Sequence, residues 1–331
     1  MNVSIIATVK NEAGNIAALL DSMLRQSRPA DEIVVNDNGS SDATPMIVQR
    51  YVDAGHPIRL VRGGHNIPSG RNNAIHHAQG PLIASCDAGL TLPSAWLAAL
   101  IAPLEQGTAD VAAGFYVAAP ESIWELALGA TNYPDVDEVD PETFLPAGQS
   151  VAFTRVAWEA VGGYPEWADT CEDLLFDLAL KQRGYRFRFV PEAAVRFRPR
   201  SGARAYLWQY YTYARGDGVG RLWPQRHAAR YAFYGGLLAV GLLARRSPCA
   251  WQLLPVPVVL HLRKPLRRAW RHSHSLSPAR RAAVLLLVPY IRLLGDLAKM
   301  VGYPVGIWLR LSGRAGPAAI VPKRLGDQKV L

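Results

Sequence analysis

The first ninety residues alternate short apolar runs with segments whose apolar residues recur every three or four positions. Runs of strand length cover residues 2–9, 32–36, 58–62 and 82–86. Helical spacing follows the first two runs, over residues 12–25 and 43–51. Strands that alternate with helices predict a sheet whose two faces both carry helices. The pattern therefore predicts an α/β fold with a Rossmann-like, mostly parallel sheet flanked by helices.

Two aspartates stand where predicted strands end. Asp37 directly follows the second run, in the turn-rich stretch NDNGSSD, and Asp87 directly follows the fourth. Open parallel sheets bind ligands at the carboxyl ends of their strands, so both carboxylates are candidate ligand-binding groups. Asp, Asn, Gly and Ser are also ordinary turn residues, which leaves a purely structural role open.

Three further polar residues lie near predicted helix starts. Arg71 precedes a helical stretch at residues 74–78, where a guanidinium can bind a diphosphate in bidentate fashion beside the helix amides. Glu172 and Asp173 open the apolar run LLFDLALKQRGY. Carboxylates in this place commonly cap a helix, although a general base there needs only an acceptor hydroxyl within hydrogen-bond reach. Spacing leaves both roles open.

Charge divides the chain into two unlike parts. Residues 1–185 contain 10 Lys/Arg and 23 Asp/Glu, whereas residues 186–331 contain 26 Lys/Arg and 4 Asp/Glu. A basic half can bind nucleic acid or an anionic membrane surface. The basic residues are interleaved with apolar tracts, which phosphate binding alone does not require, so a membrane is favoured over nucleic acid. We expect an α/β domain at residues 1–200 and a basic, apolar helical region at residues 201–331 that associates with a membrane.

Residues 291–310 show an amphipathic helical pattern. The apolar residues that share one side are Ile291, Leu294, Ala298, Val301, Val305 and Trp308. The charged residues nearly opposite are Arg292, Asp296, Lys299 and Arg310. Beside the basic clusters RKPLRRAWR and ARR, such a helix is typical of a segment that lies in the headgroup region of an anionic membrane. Two alternatives stay open, namely packing on the globular domain and a re-entrant or spanning hairpin over residues 231–262.

Two other segments have distinctive compositions. Residues 120–146 are rich in Asp, Glu and Pro, and we expect a mobile excursion across the ligand site. Residues 206–226 mix arginine with aromatic residues, which predicts an interfacial belt for most of the aromatic residues. Stacking on an acceptor sugar, or contact with a pyrophosphate-linked lipid, stays open and is compatible with a belt. The belt residues are Trp208, Tyr210, Tyr213 and Trp223.

Cysteine usage and the start of the chain bear on the cellular compartment. Cys86, Cys171 and Cys249 are odd in number and lack metal-ligand spacing, which argues against a disulfide framework. The start MNVSIIATVKNE has neither the basic residues nor the long apolar core of a signal peptide. We therefore expect the first domain in the cytoplasm, at the cytoplasmic face of the cell membrane.

Five segments follow one another in a characteristic order. They are SIIATVKNEAGNI, EIVVNDNGSSDAT, SGRNNAIHHAQGPLIASCDAGLTLPSAWL, GQSVAFTRVAWEAVGGYPE and CEDLLFDLALKQRGYRFRFVPEAAV. In this order, over most of residues 1–200, they resemble the family 2 glycosyltransferases, whose nucleotide-sugar fold is called GT-A. The resemblance implies an inverting glycosyltransferase, of the hexosyltransferase class, that moves a sugar from a nucleotide-diphosphate donor to a cell-envelope lipid or glycan.

The same resemblance implies roles in substrate binding. Thr8 and Glu12 lie in the first nucleotide-binding loop, and Asp37 contacts the base. Arg71 lies near the diphosphate, and Glu172 belongs with the substrate-binding residues. By the same correspondence, the base that deprotonates the acceptor is Asp173.

Asp87 stands at the position of the family's metal-binding aspartate motif. That motif usually reads Asp-x-Asp, but here its second position is Gly89. Magnesium or manganese use is therefore expected in weakened form, with one protein carboxylate, waters and donor phosphates as ligands. Metal-independent transfer assisted by Arg71 stays open, as does a nucleotide-sugar-binding homologue with weak or no turnover.

A second departure concerns chain polymerisation. Polymerising members of the family carry Gln-x-x-Arg-Trp after the base, whereas this chain has Gln209-Tyr210-Tyr211-Thr212-Tyr213. We therefore expect one sugar to be transferred per encounter. A basic nucleic-acid-binding protein is the third alternative, and we expect no nucleic-acid partner.

Overall fold

A computed structural model describes residues 1–315, whose contacts divide the chain into two compact units. The first unit comprises Met1–Val117 and Val136–Phe197. The second comprises Ala118–Asp135 and, within the described residues, 198–315. The first unit contains the sheet, and the second is helical.

Seven strands form one mixed sheet. They are β1 (Val3–Val9), β2 (Glu32–Asp37), β3 (Ile58–Arg62), β4 (Leu82–Asp87), β5 (Val111–Ala118), β6 (Val151–Thr154) and β7 (Phe187–Phe197). They lie in the order β3-β2-β1-β4-β6-β5-β7. The pairs β1–β2, β1–β4 and β2–β3 are parallel, whereas β6 is antiparallel to both β4 and β5. The prediction of a mostly parallel sheet is confirmed.

The α-helices described within residues 1–315 are α1 (Ile16–Leu24), α2 (Thr44–Asp53), α3 (Ile67–His77), α4 (Trp96–Glu105), α5 (Ile123–Asn132), α6 (Arg155–Val161), α7 (Glu172–Gln182), α8 (Ala203–Gly220), α9 (Pro224–Leu243), α10 (Pro255–His272) and α11 (Pro278–Leu311). Short 3-10 helices cover Val136–Glu138 and Pro248–Leu253.

Alternation along β1 explains why helices cover both faces of the sheet. Ile5 and Val9 belong to an apolar core that includes residues of α1 and α4. Ile6, which points to the other face, belongs to a second core with residues of α3, α6 and α7. Successive strand residues face opposite sides, so a continuously apolar strand needs both layers to be buried.

The second unit is built around α8 and α11. Its core combines residues of α5, α8, α10 and α11, with Tyr206 fully buried. Glycines let α8 and α11 approach closely, because a Cβ at Gly302 would lie 2.3 Å from the carbonyl oxygen of Tyr211 and one at Gly306 would lie 2.0 Å from that of Arg215. These two glycines therefore fix the distance between the two helices.

The expectations for residues 120–146 and for the aromatic belt of residues 206–226 were wrong in part. Residues 120–146 do not form a single excursion, because α5 lies within them and buries Ala127 and Leu128 in the core of the second unit. The aromatic belt is incomplete, because Tyr210 and Trp223 are buried whereas Trp208 and Tyr213 are exposed.

The predicted apolar side of the C-terminal helix also differs from the structure. Ile291 and Ala298 are buried in the second unit, whereas Val301 and Trp308 are exposed. They therefore do not form one uniform surface of α11. Among residues 1–315, no helix combines the length and the apolar character that crossing a membrane requires.

Candidate active site

Three neighbouring strands end together at one edge of the sheet. Thr8 on β1 pairs with Asp87 at the end of β4, and Val9 pairs with Asp37 at the end of β2. The Thr8 hydroxyl is buried and has no hydrogen-bond partner. An unsatisfied polar atom between two carboxylate-bearing strand ends is what a polar ligand at this edge would satisfy.

The loops that follow β1 and β2 hold each other in place. The backbone amide of Glu12 donates to the Thr44 hydroxyl at 2.8 Å and so joins the two loops. Within the second loop, the backbone amide of Ser40 donates to the Asp37 carboxylate at 3.0 Å. Asp37 itself is buried. Glu12 also lies near the position that the metal motif leaves without a side chain, since a Cβ at Gly89 would lie 3.9 Å from Glu12 Oε2.

Arg71 joins the strand edge to the start of α7. Its side chain donates from Nη2 to Asp87 Oδ1 at 2.6 Å and from Nη1 to Glu172 Oε1 at 2.7 Å. Arg71 is only 3% exposed, and its guanidinium lies over the Tyr164 ring at 5.3 Å. A buried arginine shared by two carboxylates fixes the positions of both.

The helix that carries Arg71 begins earlier than predicted. It starts at Ile67, where the Asn66 side chain accepts from the Ser69 amide and Ser69 bonds back to Asn66. Pro68 is tolerated because it occupies the first turn, where its missing N–H costs no helical bond. Arg71 consequently lies inside α3 and not ahead of it.

The pKa values of Arg71 and Glu172 are both raised, each by its own balance of burial and neighbouring charge. Burial lowers the pKa of Arg71, but Asp87 and Glu172 outweigh it, so the pKa of Arg71 is raised and the side chain stays charged. Burial and the adjacent Asp173 raise the pKa of Glu172 to about 7, against the opposing effect of Arg71. Glu172 therefore changes its charge in the neutral pH range.

Asp173 follows Glu172 in the first turn of α7. Its Oδ2 accepts a hydrogen bond from the Gly148 amide at 3.1 Å, and its Oδ1 accepts one from the Leu174 amide at 2.8 Å. Gly148 also touches Arg71, because a Cβ at this position would come within 2.2 Å of Arg71 Nη2. Gly148 therefore contacts both Asp173 and Arg71, and a side chain at this position would force the Arg71 guanidinium or the backbone to move.

A second buried carboxyl lies one turn after Asp173 on the same helix. Asp177 is 2% exposed, and its Oδ2 has no hydrogen-bond partner. Burial raises the pKa of Asp177 well above its usual range, and Asp173 adds to the shift. Burial consequently favours the neutral form of the Asp177 carboxyl group over the charged form.

The site offers few protein ligands for a divalent metal cation. Residues 1–315 contain no group of three His, Cys, Asp or Glu side chains that could hold a metal ion. Asp87 is partly exposed at the strand end, and the Glu12 carboxylate lies near Gly89. The protein groups available as metal ligands are therefore carboxylate oxygens. Magnesium commonly binds through one or two carboxylates, waters and substrate phosphates, and the residues present fit a cation held in that way.

The structure brings most of the predicted site residues to one edge of the first unit. Asp87, Arg71 and Glu172 are in direct contact, and Asp173 reaches them through Gly148. The specific roles assigned to the site residues stay predictions. Sequence reasoning gave no role to Gly148, Tyr164 and Asp177. Of these three, only Asp177 could have been found from the sequence, because it follows Asp173 by four residues in a predicted helix and residues at that spacing are neighbours on the helix surface.

Comparison with family models matches two segments of the chain. Residues 4–153 match the model described as glycosyl transferase family 2, and residues 140–294 match the model described as glycosyl transferase family group 2. Together the two segments include every residue of the candidate site.

Comparison with curated proteins finds relatives that match part of the chain. The uncharacterized glycosyltransferase EpsJ of Bacillus subtilis is 32% identical over 116 residues, which is 34% of this chain and 34% of that protein. The glycosyltransferase GlyA of Streptococcus pneumoniae is 25% identical over 224 residues, which is 62% of this chain and 32% of that protein. The chain thus spans about a third of the length of the curated relatives it matches.

Comparison with solved structures shows a shared fold. The mannosyltransferase PcManGT from Pyrobaculum calidifontis, solved in complex with GDP-Man and Mn2+, superposes with a TM-score of 0.56 at 21% identity. The superposition covers 95% of this chain and 88% of that one.

Proposed function

Because the chain belongs to glycosyltransferase family 2 and has the GT-A fold, we propose that it transfers a sugar from a nucleotide-diphosphate donor to an acceptor hydroxyl with inversion at the anomeric carbon. The observation that carries the proposal is the joint position of Asp87 and Glu172 on Arg71, with Asp173 attached through Gly148. In this proposal Arg71 binds the diphosphate and Asp173 is the base, and Gly148 lies in contact with both.

The reaction is a single displacement. Asp173 takes the proton of the acceptor hydroxyl, the hydroxyl oxygen bonds to the anomeric carbon, and the bond from that carbon to the diphosphate breaks. Arg71 stabilises the negative charge that develops on the leaving diphosphate, and Asp37 and Thr8 bind the nucleoside. A divalent cation at Asp87, when bound, supplies further charge stabilisation to the diphosphate.

The donor class is supported by the structural relative, which was solved with GDP-Man and Mn2+. For the acceptor we infer a cell-envelope lipid or glycan, at the cytoplasmic face of the membrane, with one sugar added per encounter. The basic, apolar composition of residues 201–331 supports this choice of acceptor. The absence of Gln-x-x-Arg-Trp at residues 209–213 supports the single addition.

A thermal-shift screen tests the donor. Nucleoside diphosphates and nucleotide sugars are added to the full chain with manganese, with magnesium and with a chelator. A ligand that binds the folded state at a hundred times its Kd adds about 2.7 kcal/mol of stability, which raises the midpoint by several degrees. The proposal fails if no nucleotide raises the midpoint under any of the three conditions.

A nucleotide-sugar-binding protein without turnover is the second candidate. It is favoured by Gly89 and by the pairing of Asp87 with Arg71, which occupies one oxygen of the carboxylate that a cation would use. Donor hydrolysis and transfer, measured with the nucleotide that shifts the midpoint, distinguish the two candidates. Turnover well above that of Asp173→Asn supports the enzyme, and equal background rates support the binding protein.

A further inference from the structure

Helix α11 exposes a continuous apolar stripe, here called the α11 stripe. Its members are Leu286, Tyr290, Leu293, Leu297, Val301, Trp308 and Leu311. The first member, Leu286, is 75% exposed and the last, Leu311, is 72% exposed, so the stripe is open to solvent at both of its ends. Single exposed apolar residues are ordinary in proteins, whereas a contiguous row of them marks an interaction surface.

The spacing of the stripe places its members on one side of the helix. Successive members are three, four or seven residues apart, which keeps them within roughly a quarter of the circumference at 3.6 residues per turn. The helix rises about 1.5 Å per residue, so the stripe is roughly 40 Å long. The opposite side, with Gly295, Gly302 and Gly306, packs on α8.

The charged residues of α11 do not interrupt the stripe. Asp296 is buried and accepts from Arg230 at 2.8 Å, and Arg292 lies 3.2 Å from the same carboxylate. Lys299 lies over the Tyr210 ring at 4.6 Å. From residue 282 to residue 311 the charged side chains therefore lie on the protein side of the helix, and the outward side carries none.

The end of α9 and the start of α10 add a second exposed apolar region. Its exposed members are Leu238, Leu242, Leu243, Trp251, Leu253, Val256, Val259 and Leu260. These helices are tied to one another within the second unit, because Phe233 stacks on His261 at 4.3 Å and the Tyr231 hydroxyl donates to the Met300 carbonyl at 2.6 Å. The apolar surface therefore belongs to a bundle and not to an isolated helix.

The surroundings of these apolar regions are predominantly basic, although Arg230 and Arg292 pair with Asp296 and Arg271 pairs with Asp135. Residues 218–295 contain 13 Lys/Arg and no Asp/Glu. Arg245 and Arg246 are exposed between the apolar parts of α9 and α10, and Arg263 and Lys264 are exposed just beyond them. A second copy would bring one basic surface against another, and nucleic acid would leave the apolar stripe uncovered. An anionic lipid surface complements both the charge and the apolar side chains.

We propose that the α11 stripe and the exposed apolar residues of α9 and α10 bind the surface of an anionic membrane. The apolar side chains enter the boundary between headgroups and acyl chains, and the flanking arginines and lysine contact the lipid phosphates. The second unit thereby holds the chain at a lipid surface. Binding does not depend on sugar transfer, since neither donor nor acceptor takes part in it.

Vesicle flotation of the full chain, without donor, tests the membrane surface. Vesicles of phosphatidylcholine mixed with phosphatidylglycerol are compared with vesicles of phosphatidylcholine alone. The stripe variant is Leu293→Glu with Leu297→Glu, and its matched control is Met46→Glu with Val156→Glu, which places the same charges on exposed apolar residues of the first unit. Thermal unfolding and light scattering of each variant establish folding and oligomeric state.

We expect the wild type and the control to float with the anionic vesicles, and the stripe variant to lose at least about tenfold in affinity. Arg245→Gln with Arg246→Gln should weaken binding to anionic vesicles while leaving the folded fraction unchanged. Two results would overturn the proposal. The first is that the folded wild type does not float with anionic vesicles. The second is that the wild type is a dimer that binds no vesicles, and that the stripe substitutions abolish this dimer.

Discussion

At the scale of single residues, Arg71 governs the site because one buried guanidinium serves two carboxylates. Asp87 and Glu172 occupy its two outer nitrogens, and Tyr164 lies beneath its plane. Removing either carboxylate would leave a buried cation less well compensated, which is costly. Substitutions around Arg71 should consequently affect both stability and donor binding, whereas a substitution of the base alone should affect turnover.

Asp173→Asn is expected to lower the transfer rate by about a hundredfold to ten-thousandfold, because an amide cannot take the acceptor proton. The amide keeps an oxygen that can accept from the Gly148 amide, so donor affinity and the unfolding midpoint should change little. Transfer kinetics and donor titration measure the two effects. Glu159→Gln, an exposed charge removal on α6, is the control and should leave both unchanged.

Gly148→Ala is expected to disturb Arg71 directly. The new methyl group would lie 2.2 Å from Nη2, so the guanidinium must leave Asp87 or the backbone must shift. Overpacking of this kind costs about 1–3 kcal/mol in unfolding free energy, and donor affinity should fall with it. Urea denaturation and donor titration measure both effects. Gly236→Ala, where a Cβ meets nothing within 4 Å, should show neither loss, and equal behaviour of the two variants would contradict the packing argument.

Glu172 should give the chain a measurable pH dependence. Its pKa rises from 4.5 to about 7 in the folded state, so between these values the folded chain keeps a proton that the unfolded chain has released. The contribution of Glu172 to stability is thus fully present below about pH 4.5 and is lost by about pH 7, a change on the order of 3 kcal/mol.

Glu172→Gln should remove that contribution. Urea denaturation between about pH 5 and pH 7.5 should show a smaller fall in unfolding free energy for this variant than for the wild type. Glu159→Gln should keep the wild-type slope. Identical slopes in Glu172→Gln and the wild type would mean that Glu172 titrates normally in the folded chain.

At the scale of secondary-structure elements, the packing of α8 against α11 depends on glycine. Gly306→Ala would place a methyl group 2.0 Å from the Arg215 carbonyl oxygen. That oxygen belongs to the backbone of α8 and cannot move aside as a flexible side chain could. We expect a loss of about 1–3 kcal/mol, seen as a lower midpoint in the helical circular-dichroism signal. Gly236→Ala again serves as the control, because this glycine lies in α9 with open space around it. An unchanged midpoint in Gly306→Ala would show that the helices do not pack closely there.

The α11 stripe shows why the orientation of this helix was not predictable from sequence. Apolar residues surround most of its circumference, so periodicity alone selected Ile291 and Ala298 together with Val301 and Trp308. In the structure the first two are buried and the last two are exposed. The side that packs on α8 is lined by Gly295, Gly302 and Gly306, and glycines contribute no hydrophobic signal although they permit the closest contact.

The strands of the sheet were predictable because each is a short apolar run bounded by turn residues. Their ends placed Asp37 and Asp87 at one edge, as the rule for parallel sheets requires. The contact of Gly148 with Arg71 was not predictable in the same way, since it joins residues far apart in the chain and leaves no periodic pattern. Local patterns therefore determine which elements form, and tertiary contacts determine which side chains meet.

At the scale of the whole molecule, the uneven charge distribution makes salt a test of how the second unit binds. Residues 218–295 contain 13 basic and no acidic residues, so attraction to anionic lipid should fall as salt shortens the Debye length from roughly 10 Å at 0.1 M to roughly 3 Å at 1 M. The apolar contacts do not weaken in this way. We expect vesicle affinity to fall by at least about tenfold over this range and then to level off above background.

The vesicle affinity that remains at high salt distinguishes insertion of apolar side chains into the membrane from charge attraction alone. It should disappear in the variant with Leu293→Glu and Leu297→Glu, whose substitutions lie on the exposed side of α11. Binding to a DNA duplex, measured in the same buffers, should follow the steep salt dependence of phosphate contacts and reach background. If vesicle binding also fell to background with the slope found for DNA, the apolar side chains would contribute nothing and the basic residues alone would account for association.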